Sequence, residues 1–321
     1  MLIYTLRRIL IMIPILVMIS IVVFTLALAM PGDALSGQID PANSNPEYIA
    51  EMRDRLGLND PVHVQYARWA GNVLQWDFGR SYNRKMPVTE LIGQRLPNTI
   101  LLSVMSMIIT YILAFFMGRY AGRHPYTIGD YGIQGLNYLM LAVPSFVAAI
   151  FAIFFFSFQL GWFPATGSIG SGIQPGTMEF WLSKLKHTAL PALVLGMLTT
   201  ASYTQFLRND IIESSQKDYV RTARAKGTAE NAIYNKHILR NSIIPIVTLF
   251  GFDIASIIGG SVIIETVFGF PGIGELFISS ITNRDSSVVL AITLMLSVAT
   301  LVGNLIADLV YGLVDPRIRV E

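Results

Sequence analysis

Long runs of uncharged apolar residues leave this chain few ways to fold. An α-helix rises about 1.5 Å per residue, so roughly 20 apolar residues cross a bilayer core of about 30 Å with every backbone hydrogen bond made internally. Six runs meet that length: Ile9–Met30, Ile100–Gly118, Leu136–Phe158, Thr188–Leu207, Ser242–Ile264 and Val288–Leu313. The expected class is an all-α integral membrane protein with six transmembrane helices. The first run follows Arg7-Arg8 and contains Ala27-Leu28-Ala29, an A-x-A pattern that raises a signal peptide as an alternative. Its 22 residues exceed the roughly 7 to 15 of a signal core, which favours an uncleaved anchor.

Charge agrees with this reading. Only 14% of the 321 residues are charged and 53% are apolar, against about 25% charged in soluble domains. The net charge of +2 argues against a nucleic-acid partner held by phosphate neutralisation. With no cysteine, disulfides, thiolate catalysis and Cys-type zinc sites are excluded. His63, His124, His187 and His237 lack ligand spacing, so no metal is expected. Lys226-Gly227-Thr228 has the wrong order for a phosphate loop, so the chain is not expected to bind ATP. The glycine-rich Gly167–Gly172 reads as a loop.

Orientation follows from Lys and Arg in the short loops. Cations gather at Arg7 and Arg8, at Arg119 and Arg123, at seven positions of 208–241 (Arg208, Lys217, Arg221, Arg224, Lys226, Lys236, Arg240), and at Arg317 and Arg319. Loop 160–187 has Lys184 and Lys186, and loop 265–287 has Arg284 alone. Six spans with both termini cytoplasmic put the cation-rich ends on one side. The loop 31–95, with seven cations and eight acids, then lies outside, since long loops translocate largely regardless of charge. Within it, Asn45–Trp76 reads as helix, Gly-Leu-Asn-Asp-Pro turn, helix. Tyr66, Trp69 and Trp76 suit either an interfacial position or a soluble cap on the bundle.

The segment "DYVRTARAKGTAENAIYNKHILRNSIIPIV", 218–247, is the least membrane-like stretch of the second half. Tyr219–Lys226 reads as a helix closed by Gly227 in the left-handed C′ conformation. Thr228 is the expected N-cap of a second helix with Glu230 in its first turn. That helix carries Ile233, Tyr234, His237 and Ile238 on a 3.6-period face toward the next span, where Pro245 is expected in the first turn. Such an elbow either docks its apolar face in a partner's groove or is an ordinary loop with a solvated basic face.

These residues resemble a known family. Ala223-x-x-x-Gly227, followed by His237-x-x-Arg240-Asn241-x-x-x-Pro245, resembles the EAA loop of ABC importer permeases, in particular the dipeptide, oligopeptide and nickel branch. "RLPNTILLSV" (Arg95–Val104), "SVIIETVFGFPGIGELFISSITNRD" (Ser261–Asp285), "DLVYGLVDPRIR" (Asp308–Arg319), the amino-terminal apolar stretch and Pro31–Asp33 agree in order along nearly the whole chain. One departure is that the consensus Glu-Ala-Ala is Arg221-Thr222-Ala223 here, so no acid-mediated contact is implied. The resemblance implies a type I importer permease in the cell membrane of a bacterium or archaeon. It divides the chain into an anchor and outer loop (1–93), a permease domain (94–314) and a short tail (315–321). The implied partners are a second homologous permease, two cytoplasmic ATPase subunits that hold the ATP and Mg, an extracytoplasmic substrate-binding protein, and membrane lipid. Arg221, Thr222, Ala223, Arg224, Ala225, Lys226, Gly227, His237, Arg240 and Asn241 would form the coupling loop. The branch handles dipeptides, longer peptides, glutathione and nickel complexes; peptides are the reading adopted.

Polar residues inside the spans are candidates for the translocation path or for packing. An unpaired charge at the bilayer centre costs about 2.5–3.5 kcal/mol on insertion scales, so Asp253 must face protein or water. It either attracts a peptide's ammonium group or is a hydrogen-bonded acid at the interface with the partner permease. Asn304 and Asp308 share one helix face, with a structural role expected. Glu265 precedes a turn at Pro271, Gly272 and Gly274, whose small residues either permit close approach to a partner subunit or merely form a loop; the resemblance favours a subunit contact. Pro144 and Pro191 mark either kinks lining a cavity or common membrane-helix prolines. A self-sufficient secondary transporter would show inverted repeats, and none is apparent. An intramembrane enzyme would pair catalytic groups at depth, where Asp253 stands alone.

Overall fold

The apolar runs fold as helices in the computed structural model, which describes residues 2–29, 46–55, 57–257 and 261–314. Among the described residues four helices are long and apolar enough to cross a membrane: α1 (Leu2–Ala29), α4 (Val88–Arg123), α7 (Met178–Ser215) and α13 (Ser286–Val314). Between α1 and α4 lie α2 (Pro46–Arg55) and α3 (Val62–Leu74), the expected helix–turn–helix. Pro31–Asp33, Arg317 and Arg319 lie outside the described residues.

Of the six expected spans, the first, second, fourth and sixth are these long helices, and the third and fifth take other forms. The third run is a pair, α5 (Ile128–Ala142) and α6 (Ser145–Ala152), the latter continuing as a π-helical turn over Ile153–Gln159. The two halves meet at 101° and count as one span only if taken together. Pro144 causes the break, because proline pushes its predecessor toward extended backbone and Val143 sits at φ −84°, ψ 122°. Pro144 thus separates two helices, whereas Pro191 lies buried inside α7. The fifth run is α10 (Arg240–Ser256), 17 residues long or about 25 Å; beyond the undescribed residues 258–260 it is followed by α11 (Val262–Val267). Next come α12 (Ile273–Thr282) and α13.

Helices α4 and α7 form the central pair. They approach through small residues, as membrane helices do where burial of apolar area gives no drive for association. A Cβ on Gly118 would stand 2.9 Å from the Cβ of Leu207, and one on Gly122 would stand 2.8 Å from the Cβ of Ile211. Thr110 reinforces the contact by donating to the Gly196 carbonyl at 3.0 Å.

The remaining elements pack around this pair. At one end Val88 and Leu91 of α4 share a core with Ile273 and Leu276 of α12 and Val288 and Ile292 of α13. α1 lies against α13 and is tied to it by Arg8 and Asp308 at 2.9 Å, whereas Asn304 is exposed. Phe24 of α1 meets Tyr66 and Trp69 of α3, with ring centroids 5.6 and 5.4 Å away, and Ser20 and Tyr66 share a 2.8 Å hydrogen bond. α3 is therefore seated on the end of α1, while Trp76 beyond it is 79% exposed.

Candidate functional site

The elbow begins with α8 (Asp218–Ala225) and turns at Gly227, which has φ +74°. Gly227 N–H donates to the Arg224 carbonyl (2.9 Å) and Thr228 N–H to the Ala223 carbonyl (3.2 Å), the paired bonds of a Schellman closure. That closure occupies Thr228, so the expected N-cap there is corrected. Ala229 caps the second leg without a side-chain bond, and α9 (Glu230–Ile233) starts one residue later. Arg224 reaches across the turn to Glu230 at 2.6 Å. This hydrogen bond holds the exposed Glu230 carboxyl below its ordinary range.

The second leg does not keep the expected 3.6-residue period. Tyr234–Leu239 is a π-helical turn that runs into α10 without a break. The wider turn brings Ile233, Tyr234, Ile238 and Leu239 together on the buried side, five residues apart, and leaves His237 half-buried. Because the helix is continuous from Glu230, Pro245 lies in its interior and not in a first turn.

Docking of the apolar face in a partner's groove is also corrected. Val220, Ala223, Ile233 and Ile238 are buried with Leu207 and Ile211 of α7, so that face is already covered by the chain's own bundle. What remains outward is polar: Arg221, Thr222, Arg224, Ala225, Lys226 and Gly227 are exposed at the tip, with Arg240 and Asn241 exposed farther along the second leg.

The elbow is bolted to the bundle. Arg119 and Arg123, one turn apart at the end of α4, donate to Asn235 (3.3 Å) and Asn231 respectively. The Arg123 guanidinium lies 4.8 Å from the centre of the Tyr234 ring, and the Tyr234 hydroxyl donates to the Arg119 carbonyl at 3.0 Å. Nearby, Arg208 of α7 grips the buried Asp130 of α5 through two 2.6 Å bonds. The sequence singled out none of Asp130, Asn231 or Asn235. Thr127-x-x-Asp130 at the start of α5 has the spacing of a helix-start signal, and Thr127 does accept from the Asp130 N–H; the asparagines left no such mark.

A small cavity with several polar side chains in its wall lies among α4, α7 and α10. Asp253 accepts from the Tyr111 hydroxyl of α4 and, at 2.6 Å, from that of Tyr203 of α7. A cavity of about 160 Å³ opens beside this trio, lined also by Ser103, Ser106 and Thr199. Asp253 is therefore not alone at depth, and its hydrogen-bonding groups belong to this same chain. The chamber offers hydroxyls and a carboxylate to a polar solute or to water.

Glu265 is fully buried, at the opposite end from the elbow. It accepts from the Thr99 hydroxyl (2.8 Å), Gly274 N–H (2.6 Å) and Glu275 N–H (3.1 Å). Thr99 in turn accepts from Ile273 N–H at 2.8 Å, and Asn98 donates to the Pro271 carbonyl at 2.8 Å. A Cβ on Gly272 would sit 2.4 Å from the Glu265 carboxyl. The turn approaches the Glu265 carboxyl closely within the chain. Glu265 and the Pro271–Gly274 turn cap the start of α12 and fasten it to α4. Among the described residues no group of three or more His, Cys, Asp or Glu is placed to hold a metal.

Comparison with known proteins gives matches along almost the whole chain. A family model described as the binding-protein-dependent transport system inner membrane component matches residues 114–320, and the model of that component's N-terminal part matches residues 1–103. The chain is 43% identical over 318 residues to the oligopeptide transport system permease protein AppB of Bacillus subtilis, covering 98% of this chain and 99% of the relative. It is 36% identical over 319 residues, 99% of both chains, to a protein of Sinorhizobium fredii described as a probable peptide ABC transporter permease.

Proposed function

The chain belongs to the family of binding-protein-dependent transport system inner membrane components, and we propose that it is the membrane subunit of an ATP-driven peptide importer. Such a component resides in the membrane and works with a binding protein and separate ATPase subunits that carry the hydrolysis. The finer reading is that it pairs with a second, homologous permease and that the elbow's exposed tip, 221–227, sits in a cytoplasmic ATPase. The peptide substrate rests on the relatives, whose names are those of oligopeptide and peptide permeases.

The observation that carries the coupling role is the way the elbow is held. Its apolar side is buried on α7, its second leg is fastened to the end of α4 by Arg119, Arg123 and Tyr234, and its polar tip is left outward. A displacement imposed on the tip is then delivered to the central α4–α7 pair without slack. Those two helices, with α10, also line the Asp253 chamber, so their movement opens or closes it. This arrangement suits alternating access, in which ATP binding and hydrolysis in the partners rock the bundle between two faces. The chamber supplies hydrogen bonds to a peptide in passage.

The experiment is uptake of labelled di- and oligopeptides into proteoliposomes containing the two permeases and the ATPases, with the binding protein present. Uptake is expected only with ATP and with all partners. Uptake by this polypeptide alone, without nucleotide hydrolysis, contradicts the reading.

A further inference from the structure

At the end of the bundle away from the elbow, a cavity of about 470 Å³ opens between α1, α13 and the α2–α3 pair. We infer that it is a binding site for one phospholipid, with the phosphate held by Arg53 and Arg68 and an acyl chain laid along α1. The site depends on these helices spanning the bilayer and on nothing about the cargo.

The level of the cavity follows from its walls. Phe24 and Leu28 close the apolar run of α1, and Leu290 stands near the start of the run of α13. Two membrane-spanning runs end here, so the cavity lies where hydrocarbon gives way to headgroups. Trp69 of α3 lines it as well. Its ring is 5.4 Å from that of Phe24 and 6.0 Å from that of Tyr66, and Trp and Tyr are the side chains that settle at this level.

The two sides of the cavity differ in chemistry. Phe24, Leu28 and Leu290 make an apolar floor. Below it, Leu28, Ile21 and Val17 are exposed and fall on one face of α1, an apolar track of about 16 Å leading into the bilayer. On the other side α2 and α3 present Arg53 and Arg68, and among the described residues no acidic side chain lines the cavity. The acids close by are engaged: Asp54 accepts from the Asn59 amide at 2.5 Å, and Asp60 pairs with Arg68 at 2.6 Å.

Arg68 is positioned before any ligand arrives. Besides its bond to Asp60, its guanidinium lies over Gly57, a buried residue with φ +64°. A Cβ there would overlap the guanidinium, so glycine meets both the left-handed backbone and the close approach. A guanidinium offers planar N–H pairs that match phosphate oxygens. The volume falls within the ~300–1,000 Å³ of small-molecule sites, enough for a headgroup and the first part of a chain. A free phosphate would leave the apolar floor bare, and a lipid without phosphate would make no use of the arginines. A phospholipid uses both.

The test uses the assembled transporter in mild detergent and a phosphatidylglycerol carrying a photoactivatable diazirine in one acyl chain, with labelled peptides identified by mass spectrometry. Labelling of 17–28 in α1 and 286–290 in α13 is expected to exceed that of the exposed Phe151, Phe154 and Phe158 by about tenfold, the effect of a charge-assisted bond to the headgroup. Diacylglycerol with the same chain should label the two places alike, and an excess of glycerophosphate, which has no chain, should not displace the phospholipid. Arg53→Gln, at an exposed position, and Leu28→Trp, which fills the floor, should each lower labelling of the site severalfold. Unchanged labelling of Phe151–Phe158 then shows that the variants remain folded in lipid. Equal labelling of both places in the wild type would reveal bulk lipid only and overturn the proposal. So would diacylglycerol labelling the site as well as the phospholipid does, or variants without effect. Displacement by glycerophosphate would make this a site for free phosphate esters and overturn the lipid assignment.

Discussion

Single side chains in this protein hold elements together by leaving no polar group stranded. Glu265 illustrates this, since one buried carboxylate satisfies two N–H groups of α12 and a hydroxyl of α4. Removing one partner strands the others, at about 1–3 kcal/mol per unsatisfied group. Glu265→Ala should therefore lower the thermal midpoint of the purified protein by several degrees. Glu265→Gln, which keeps an acceptor, should lower it less. Asp130 and Arg208 make a stricter case. Breaking a buried pair by removing one member costs about 3–5 kcal/mol, whereas replacing both with apolar residues is often near neutral. Arg208→Leu should destabilise strongly in a detergent-unfolding assay, and adding Asp130→Leu should recover much of the loss.

At the scale of elements, the sequence made the helices legible and hid their joints. Uncharged runs located α1, α4, α7 and α13, because length and apolarity are properties of the chain itself. The break in the third run was marked by Pro144, yet whether a membrane proline kinks or separates two helices depends on what packs around it. The elbow was readable from Lys226-Gly227, since a left-handed C′ position favours glycine. Its second leg was misread because the π-turn over Tyr234–Leu239 answers to packing on α7. The anchors of the elbow, Arg119 and Arg123 against Asn231 and Asn235, join residues more than a hundred positions apart, which no local pattern reveals. They also give the sharpest prediction at this scale. Replacing both arginines by alanine should leave ATP hydrolysis in the assembly largely intact while lowering peptide uptake severalfold. Uptake and hydrolysis falling together would show that the bolt is not what transmits the motion. Separately, Gly122→Leu should wedge α4 from Ile211, 2.8 Å from the added carbon, at about 1–3 kcal/mol for overpacking, read as a lower thermal midpoint.

The molecule as a whole reads as a lever joined to a compartment. The elbow is packed on α7 and bonded to the end of α4, α10 follows from the elbow without a break, and the Asp253 cavity is lined by α4, α7 and α10. Asp253→Asn keeps a hydrogen-bond acceptor for Tyr111 and Tyr203 but removes the charge. If the chamber receives the ammonium end of a peptide, uptake should fall and discrimination against N-acetylated peptides should weaken; unchanged uptake with normal assembly would leave the residue a purely internal brace. All of this depends on the tip of the elbow being held by a motor outside the chain. The most direct measurement places single cysteines at Ala225 and Lys226, both exposed at the tip, in the complete assembly and crosslinks them. Bonds to the ATPase subunit, with a yield that changes between nucleotide-free and ATP-bound states, are predicted. Crosslinks that find only lipid or solvent in the intact, transporting complex would contradict the account.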